Sequence, residues 1–181
     1  DQHHTKHSRR RHRKSIPKIL LTICRFISYR FLGSRKNDRL KPVRFYEALD
    51  SKVALLKLVP GIDCGVLEYL LERSSALIIE SFGVGGLPVY ETGSFYETVK
   101  RGLDAGKTVV LTTQVENEGS DLSVYHVGNR IKQSLPILEA YDMTTEAVIA
   151  KLMWILSQTT DRAKAAEMFY TPIACDILSV L

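Results

Sequence analysis

The 181 residues, 45% of them hydrophobic, suffice for one well-buried domain, and one core is the default at this length. The net charge of +5 is the sum of two unlike parts: residues 1–45 carry 14 Lys or Arg against 2 acids, giving +12, and 46–181 carry the remaining 11 against 18, giving −7. Three scattered cysteines, Cys24, Cys64 and Cys175, lack metal-ligand spacing and exclude a disulfide framework, which fits a reducing, cytoplasmic setting for the folded part.

Residues 1–18 have almost nothing to bury and repel themselves, so disorder is expected. Their Arg and Lys could neutralise phosphates, but the aromatics that single-strand readers interleave are missing, and a solvated arm is preferred to nucleic-acid binding. His3, His4, His7 and His12 are read the same way, as solvated rather than metal-holding. The apolar run Ile19–Ile27 is broken by Arg25 and falls far short of the roughly 20 residues of a spanning helix. Residues 1–44 are therefore expected to be a basic leader, disordered or weakly helical.

From Phe45 strand and helix signals alternate, and 45–181 is expected to be the folded domain. Val53–Leu58 reads as a buried strand, Pro60-Gly61 as its turn, and Asp63 as the cap of a helix with Val66, Leu67, Leu70 and Leu71 on one face. Ala76–Ile79 reads as a short buried strand ending in the glycine-rich stretch Ser81-Phe-Gly-Val-Gly-Gly-Leu-Pro88, where the backbone must turn tightly or approach something closely. Capping-box spacing at Ser94 and Glu97 predicts a helix over 94–105, with Phe95, Val99 and Leu103 buried and Gly106 as its stop. Thr108–Thr113 is the third strand. Val124, Val127 and Ile131 recur at helical spacing within 121–134, although Gly128 weakens the pattern, and 136–140 is a short fourth strand. Asp142–Glu146 opens a last strong helix through Leu156, apolar on most sides with Lys151 nearly its only charge, and residues 161–181 add one or two helical turns. This alternation predicts an α/β fold: a small parallel sheet of about four strands with helices on both faces, a Rossmann-like or flavodoxin-like three-layer arrangement.

Several motifs tempt and fail. Gly102 to Thr108 resembles the end of a phosphate-binding loop, but three residues rather than four separate its glycines and a strand follows. A dinucleotide fingerprint starting at Gly83 would need glycine where Pro88 stands. His126 is the single histidine after residue 45 and has no nucleophile elbow or neighbouring cysteine, so it reads as a surface residue. Thr112, Thr113 and Gln114, at a strand's carboxyl end, are candidates for binding, where hydroxyl and amide groups reach a ligand beyond the sheet; capping of the next turn is the competing reading.

Four stretches in order, Leu56-Lys-Leu-Val-Pro-Gly-Ile62, Ala76 to Pro88, Val109-Val-Leu-Thr-Thr-Gln114, and Tyr141-Asp-Met-Thr-Thr-Glu-Ala147 with Lys151-Leu152, resemble the C-terminal domain of bacterial cytoplasmic (type I) L-asparaginases and the related amidotransferase subunits. The resemblance covers residues 45–160. It implies hydrolysis of asparagine to aspartate and ammonia through a threonine acyl-enzyme, without metal or cofactor. In the family the nucleophile belongs to a Thr-Gly-Gly-Thr segment and a Thr-Asp pair, and residues 1–45 hold neither, so no catalytic residue is assigned and the chain alone is expected to be inactive. The family's C-terminal domain closes a dimer in which the glycine loop approaches the neighbour's active site, a role that carries over to Ser81, Gly83, Gly85 and Gly86. The commoner pattern has Asn where Gly86 stands. Some relatives bind asparagine at an allosteric site through an Arg and a Cys; Glu80 and Val115 occupy those positions, so that regulation is not expected.

The resemblance thus implies a homodimer or homotetramer acting on asparagine, with Ser81, Gly83, Gly85, Gly86, Thr113 and Gln114 as substrate-binding residues and no membrane partner. A non-enzymatic dimerising module whose basic arm contacts nucleic acid or anionic membrane is the alternative, and the amidotransferase branch of the family, acting on aminoacylated tRNA, is a third reading.

Overall fold

A computed structural model describes residues 46–88, 94–115, 119–124, 126–173 and 176–177, all within the unit Phe45–Leu181. The expectations for the leader, and those for the side chains of Ser94, His126 and Val127, lie outside the described residues. Four strands, β1 (Val53–Lys57), β2 (Ala76–Ser81), β3 (Thr108–Thr113) and β4 (Leu138–Glu139), stand in the order β1-β2-β3-β4, and every neighbouring pair is parallel. The crossovers are α1 (Cys64–Arg73), α2 (Ser94–Asp104) and α3 (His126–Ser134), and the chain continues into α4 (Thr145–Gln158) and α5 (Arg162–Tyr170).

An order that never reverses puts its crossovers on one face, because each parallel connection is right-handed and each steps in the same direction. The packing agrees. Leu77, Ile79, Val109 and Leu111 meet Leu67 and Leu71 of α1, Phe95, Val99 and Leu103 of α2 and Ile131 of α3 in one buried cluster. Ala76, Ile78 and Val110, alternate residues of the same strands, meet Val148, Leu152 and Ile155 of α4 and Ala165 and Phe169 of α5 in the other. The two-residue side-chain period of a strand explains why the middles of β2 and β3, Ala76–Ile79 and Val109–Leu111, are continuously apolar: both faces are covered.

Helix ends follow their caps. Asp63 accepts from the Gly65 amide (2.7 Å), Thr144 from the Ala147 amide (3.2 Å), and Asp161 from the Ala163 amide (2.8 Å). α2 carries the expected buried stripe.

Three expectations need correction. β1 is not a buried strand: it is the sheet's edge, and Leu55 is 43% exposed, because an apolar run reads alike at an edge and at the centre. Val66 is 44% exposed rather than on the buried stripe, since α1 packs on α2, β1 and β2 through Leu67 and Leu71. Val124 precedes α3 and faces solvent; the Asp121 carboxylate binds the Ser123 amide (2.9 Å) and closes a turn there, so the helix starts at His126. Lys151, nearly the only charge of α4 as expected, is buried, donating to the Thr171 carbonyl (2.9 Å) and pairing with Asp176 (2.8 Å).

Candidate functional site

Two features stand at the carboxyl ends of the strands, where ligands of parallel sheets bind. The first is the loop leaving β2. Phe82 and Gly86 bond each other both ways, Phe82 amide to Gly86 carbonyl (2.8 Å) and Gly86 amide to Phe82 carbonyl (2.6 Å), which closes a five-residue ring. Gly83 lies at φ 50°, in the left-handed region that a side chain disfavours. The ring is packed backbone to backbone: a β-carbon at Gly85 would sit 2.8 Å from the Asp121 carbonyl oxygen, and one at Gly128 would sit 2.7 Å from that of Leu122. The Asp121 amide donates to the Val84 carbonyl (2.6 Å), and the Thr113 hydroxyl donates to the Gly83 carbonyl.

The second feature is a cleft of about 470 Å³ lined by Lys57, Glu80, Thr113, Gln114, Asp142 and Thr145, among others. Glu80 lies at its centre with its side chain only 13% exposed; one oxygen accepts from the Thr145 hydroxyl (2.8 Å) and the other lies 3.9 Å from the Lys57 ammonium. The Gln114 amide nitrogen is spent on two main-chain carbonyls, Leu58 (2.7 Å) and Glu80 (3.1 Å), tying the ends of β1 and β2 together. Tyr141, at a positive φ of 51°, turns the chain out of β4, and the cleft is lined from Asp142 to the N-terminus of α4.

The six expected site residues fall into two groups. Thr113 and Gln114 line the cleft, and the Thr113 hydroxyl and the Gln114 amide nitrogen are already committed, Thr113 also accepting from the Val115 amide (2.9 Å). The pair borders a cavity and also fastens turns. Ser81 is fully buried and donates to the Thr112 carbonyl (2.7 Å), which locks β2 to β3. Gly83, Gly85 and Gly86 form the ring. A β-carbon at Gly86 would lie 3.0 Å from the Phe82 carbonyl oxygen, a tight contact within the ring.

The sequence did not single out two buried or half-buried carboxylates, Glu80 and Glu139, as site residues. Each ends a run of apolar residues in a strand, Ala76-Leu-Ile-Ile before Glu80 and Pro136-Ile-Leu before Glu139, and a charge in such a run is the available signal. Glu139 holds the Lys132 ammonium at 2.7 Å, and this hydrogen bond, with the attraction between the charges, raises the Lys132 pKa. The Ser123 hydroxyl, and then its amide, lower the Asp121 pKa by hydrogen bonding to the carboxylate. Burial raises the Tyr170 pKa; its hydroxyl accepts from the Glu139 amide (3.0 Å). Among the described residues no group of three His, Cys, Asp or Glu is arranged to hold a metal ion, and no helix is long and apolar enough to cross a membrane.

The glutaminase/asparaginase C-terminal domain model matches residues 52–169, which takes in the whole sheet, the glycine loop and nearly all of the five helices. The chain belongs to this asparaginase family. An L-asparaginase of Thermococcus kodakarensis is 35% identical over 133 residues, 74% of this chain and 40% of that protein. A glutamyl-tRNA(Gln) amidotransferase polypeptide of Pyrococcus furiosus is 30% identical over 132 residues, 72% of this chain and 29% of that one. The solved thermostable L-asparaginase from T. kodakarensis superposes with a TM-score of 0.70 at 33% identity, covering 80% of this chain and 44% of that one. This chain thus spans well under half the length of the relatives it matches.

Proposed function

We propose that residues 45–181 serve as the C-terminal domain of a cytoplasmic L-asparaginase, an amidohydrolase that converts asparagine to aspartate and ammonia as a homodimer or homotetramer. The observation that carries this reading is the 35% identity to an L-asparaginase over 133 residues, most of the folded part. The domain supplies a shaped wall rather than a nucleophile. Thr113 spends its hydroxyl on the Gly83 carbonyl and so is not poised to attack, whereas the glycine ring, held rigid, presents main chain at the sheet's edge. Ser81, Gly83, Gly85 and Gly86 then border the substrate of a neighbouring copy, with Thr113 and Gln114 fastening the loop beneath. The 1–44 leader plays no part in this chemistry.

The test is ammonia release from asparagine. The purified 181-residue chain is expected to show none, and the protein carrying the catalytic threonine half is expected to turn asparagine over. Activity that follows the isolated chain through successive columns contradicts the proposal. The similarity to the P. furiosus amidotransferase polypeptide supports a second reading, action on glutamyl-tRNA(Gln) with glutamine as the ammonia source. Glutamine hydrolysis that rises on adding that aminoacylated tRNA favours the second reading over the first.

A further inference from the structure

Two walls pack against Gly85, the segment 119–122 through Asp121 and α3 through Gly128, whose β-carbon would lie 3.0 Å from the Gly85 carbonyl oxygen. Both walls end on one carboxylate. The Leu122 amide donates to Glu139 Oε1 at 2.6 Å, and Lys132 Nζ of α3 lies 2.7 Å from Glu139 Oε2. Glu139 is only 2% exposed, while the Lys132 side chain is 38% exposed, so the carboxylate is the sealed member of the pair and the lysine reaches in from the surface.

The post that carries this carboxylate is itself fixed. Glu139 pairs with Leu111 of β3, the Ala140 amide donates to the Leu111 carbonyl (2.8 Å), and the Glu139 amide is taken by the Tyr170 hydroxyl (3.0 Å). A buried carboxylate left without partners costs several kcal/mol, so both oxygens hold their donors tightly and the two walls have one permitted spacing. The Ser120 amide, bonded to the Tyr141 carbonyl (2.7 Å), anchors the same segment one residue before Asp121.

We infer that Glu139 is a positioning residue for the glycine loop: its buried carboxylate, through Leu122 on one oxygen and Lys132 on the other, sets the two walls that fix where Gly83 to Gly86 present their main chain. What the loop contributes to a reaction rests on the asparaginase reading above; how the loop is held does not. Glu139 touches no ligand in this role and acts only through Leu122, Asp121 and α3.

Amide hydrogen exchange on the purified chain tests the inference. In Glu139→Leu the amides of Gly85, Gly86 and Asp121 are expected to exchange about tenfold faster or more, the factor matching loss of a hydrogen bond to a charged group, with Ile78 and Val110 in the sheet rising by no more than the loss of global stability measured on the same variant. Glu139→Gln keeps an acceptor for the Leu122 amide but turns an N–H donor toward Lys132, so it should give a smaller rise. If Glu139→Leu does not fold, Lys132→Met decides, with a rise of about threefold expected at the same amides because only the surface-reaching partner is lost. Loop exchange at the wild-type rate in a folded variant, or a rise at Ile78 and Val110 beyond what that loss of stability accounts for, overturns the inference. In the protein that carries the catalytic half, the same variants should lower kcat/KM for asparagine at a temperature well below their Tm, where each is fully folded. Faster loop exchange with unchanged kcat/KM supports the positioning of the loop and overturns the asparaginase reading of what it does.

Discussion

Glu80 and Glu139 both end strands of one parallel sheet, yet they have opposite surroundings. Glu139 is sealed, with a donor on each oxygen at hydrogen-bond distance, and it joins β4 to the loop at Leu122 and to α3 at Lys132. Glu80 opens on the cleft, has one good donor in Thr145, and faces Lys57 at 3.9 Å, where the lysine side chain is 63% exposed. The difference separates scaffold from surface: a carboxylate with both oxygens spent fixes geometry, and one with a loose partner keeps capacity for something that enters. Removing the first should therefore cost far more than removing the second.

The largest expected effect is Glu139→Leu, which strands the Leu122 amide and the Lys132 ammonium; a loss of about 2 to 4 kcal/mol is expected in chemical denaturation. An effect below that of Glu80→Gln would break the comparison. Next come Gly128→Ala and Gly85→Ala, whose new β-carbons would meet backbone oxygens at 2.7 and 2.8 Å. Backbone cannot swing aside as a side chain can, so about 1 to 3 kcal/mol is expected from each, measured by the same denaturation. Glu80→Gln belongs at the small end, within about 1 kcal/mol, because its ion pair is long and its lysine is solvated.

A pH titration sharpens the same contrast. Glu139 raises the Lys132 pKa above the ordinary value of 10.5, so the stability that Lys132 contributes is fully present below that value and is lost as pH rises through the higher folded one. Lys132→Met should flatten this alkaline limb of the stability curve, and an unchanged limb would count against the pairing. At the acid end the sign reverses. Asp121, whose pKa Ser123 lowers, contributes stability above the ordinary carboxylate value that is lost as pH falls through the lower folded one, and Asp121→Asn should shrink that limb.

Much of the fold was legible because it is local. The stripe Phe95, Val99, Leu103 has a helix period, Asp63 and Thr144 cap the helices that follow them, and β2 and β3 read as continuous apolar runs. The edge position of β1 was not legible, since nothing in Val53–Lys57 distinguishes a strand with one neighbour from a strand with two. At the site, Thr113 and Gln114 were placed by their position at the end of β3, but the partners that occupy them, Gly83 and Leu58, lie 30 and 56 residues away. Gly128 was read as a weakness in a helix. Its reason is the Leu122 carbonyl packed against it, a contact that appears only once the loop and α3 are brought together. Glu139 was invisible on the same ground, because its two donors, Leu122 and Lys132, are neighbours only in the folded chain.

The measurement that tests the asparaginase account most directly is the coding DNA upstream of the codon for Phe45, read in all frames for a Thr-Gly-Gly-Thr segment and a Thr-Asp pair. The account expects both, in a catalytic half that precedes this domain. A coding region with no such half would contradict it and would favour a non-enzymatic dimerising module with a basic arm.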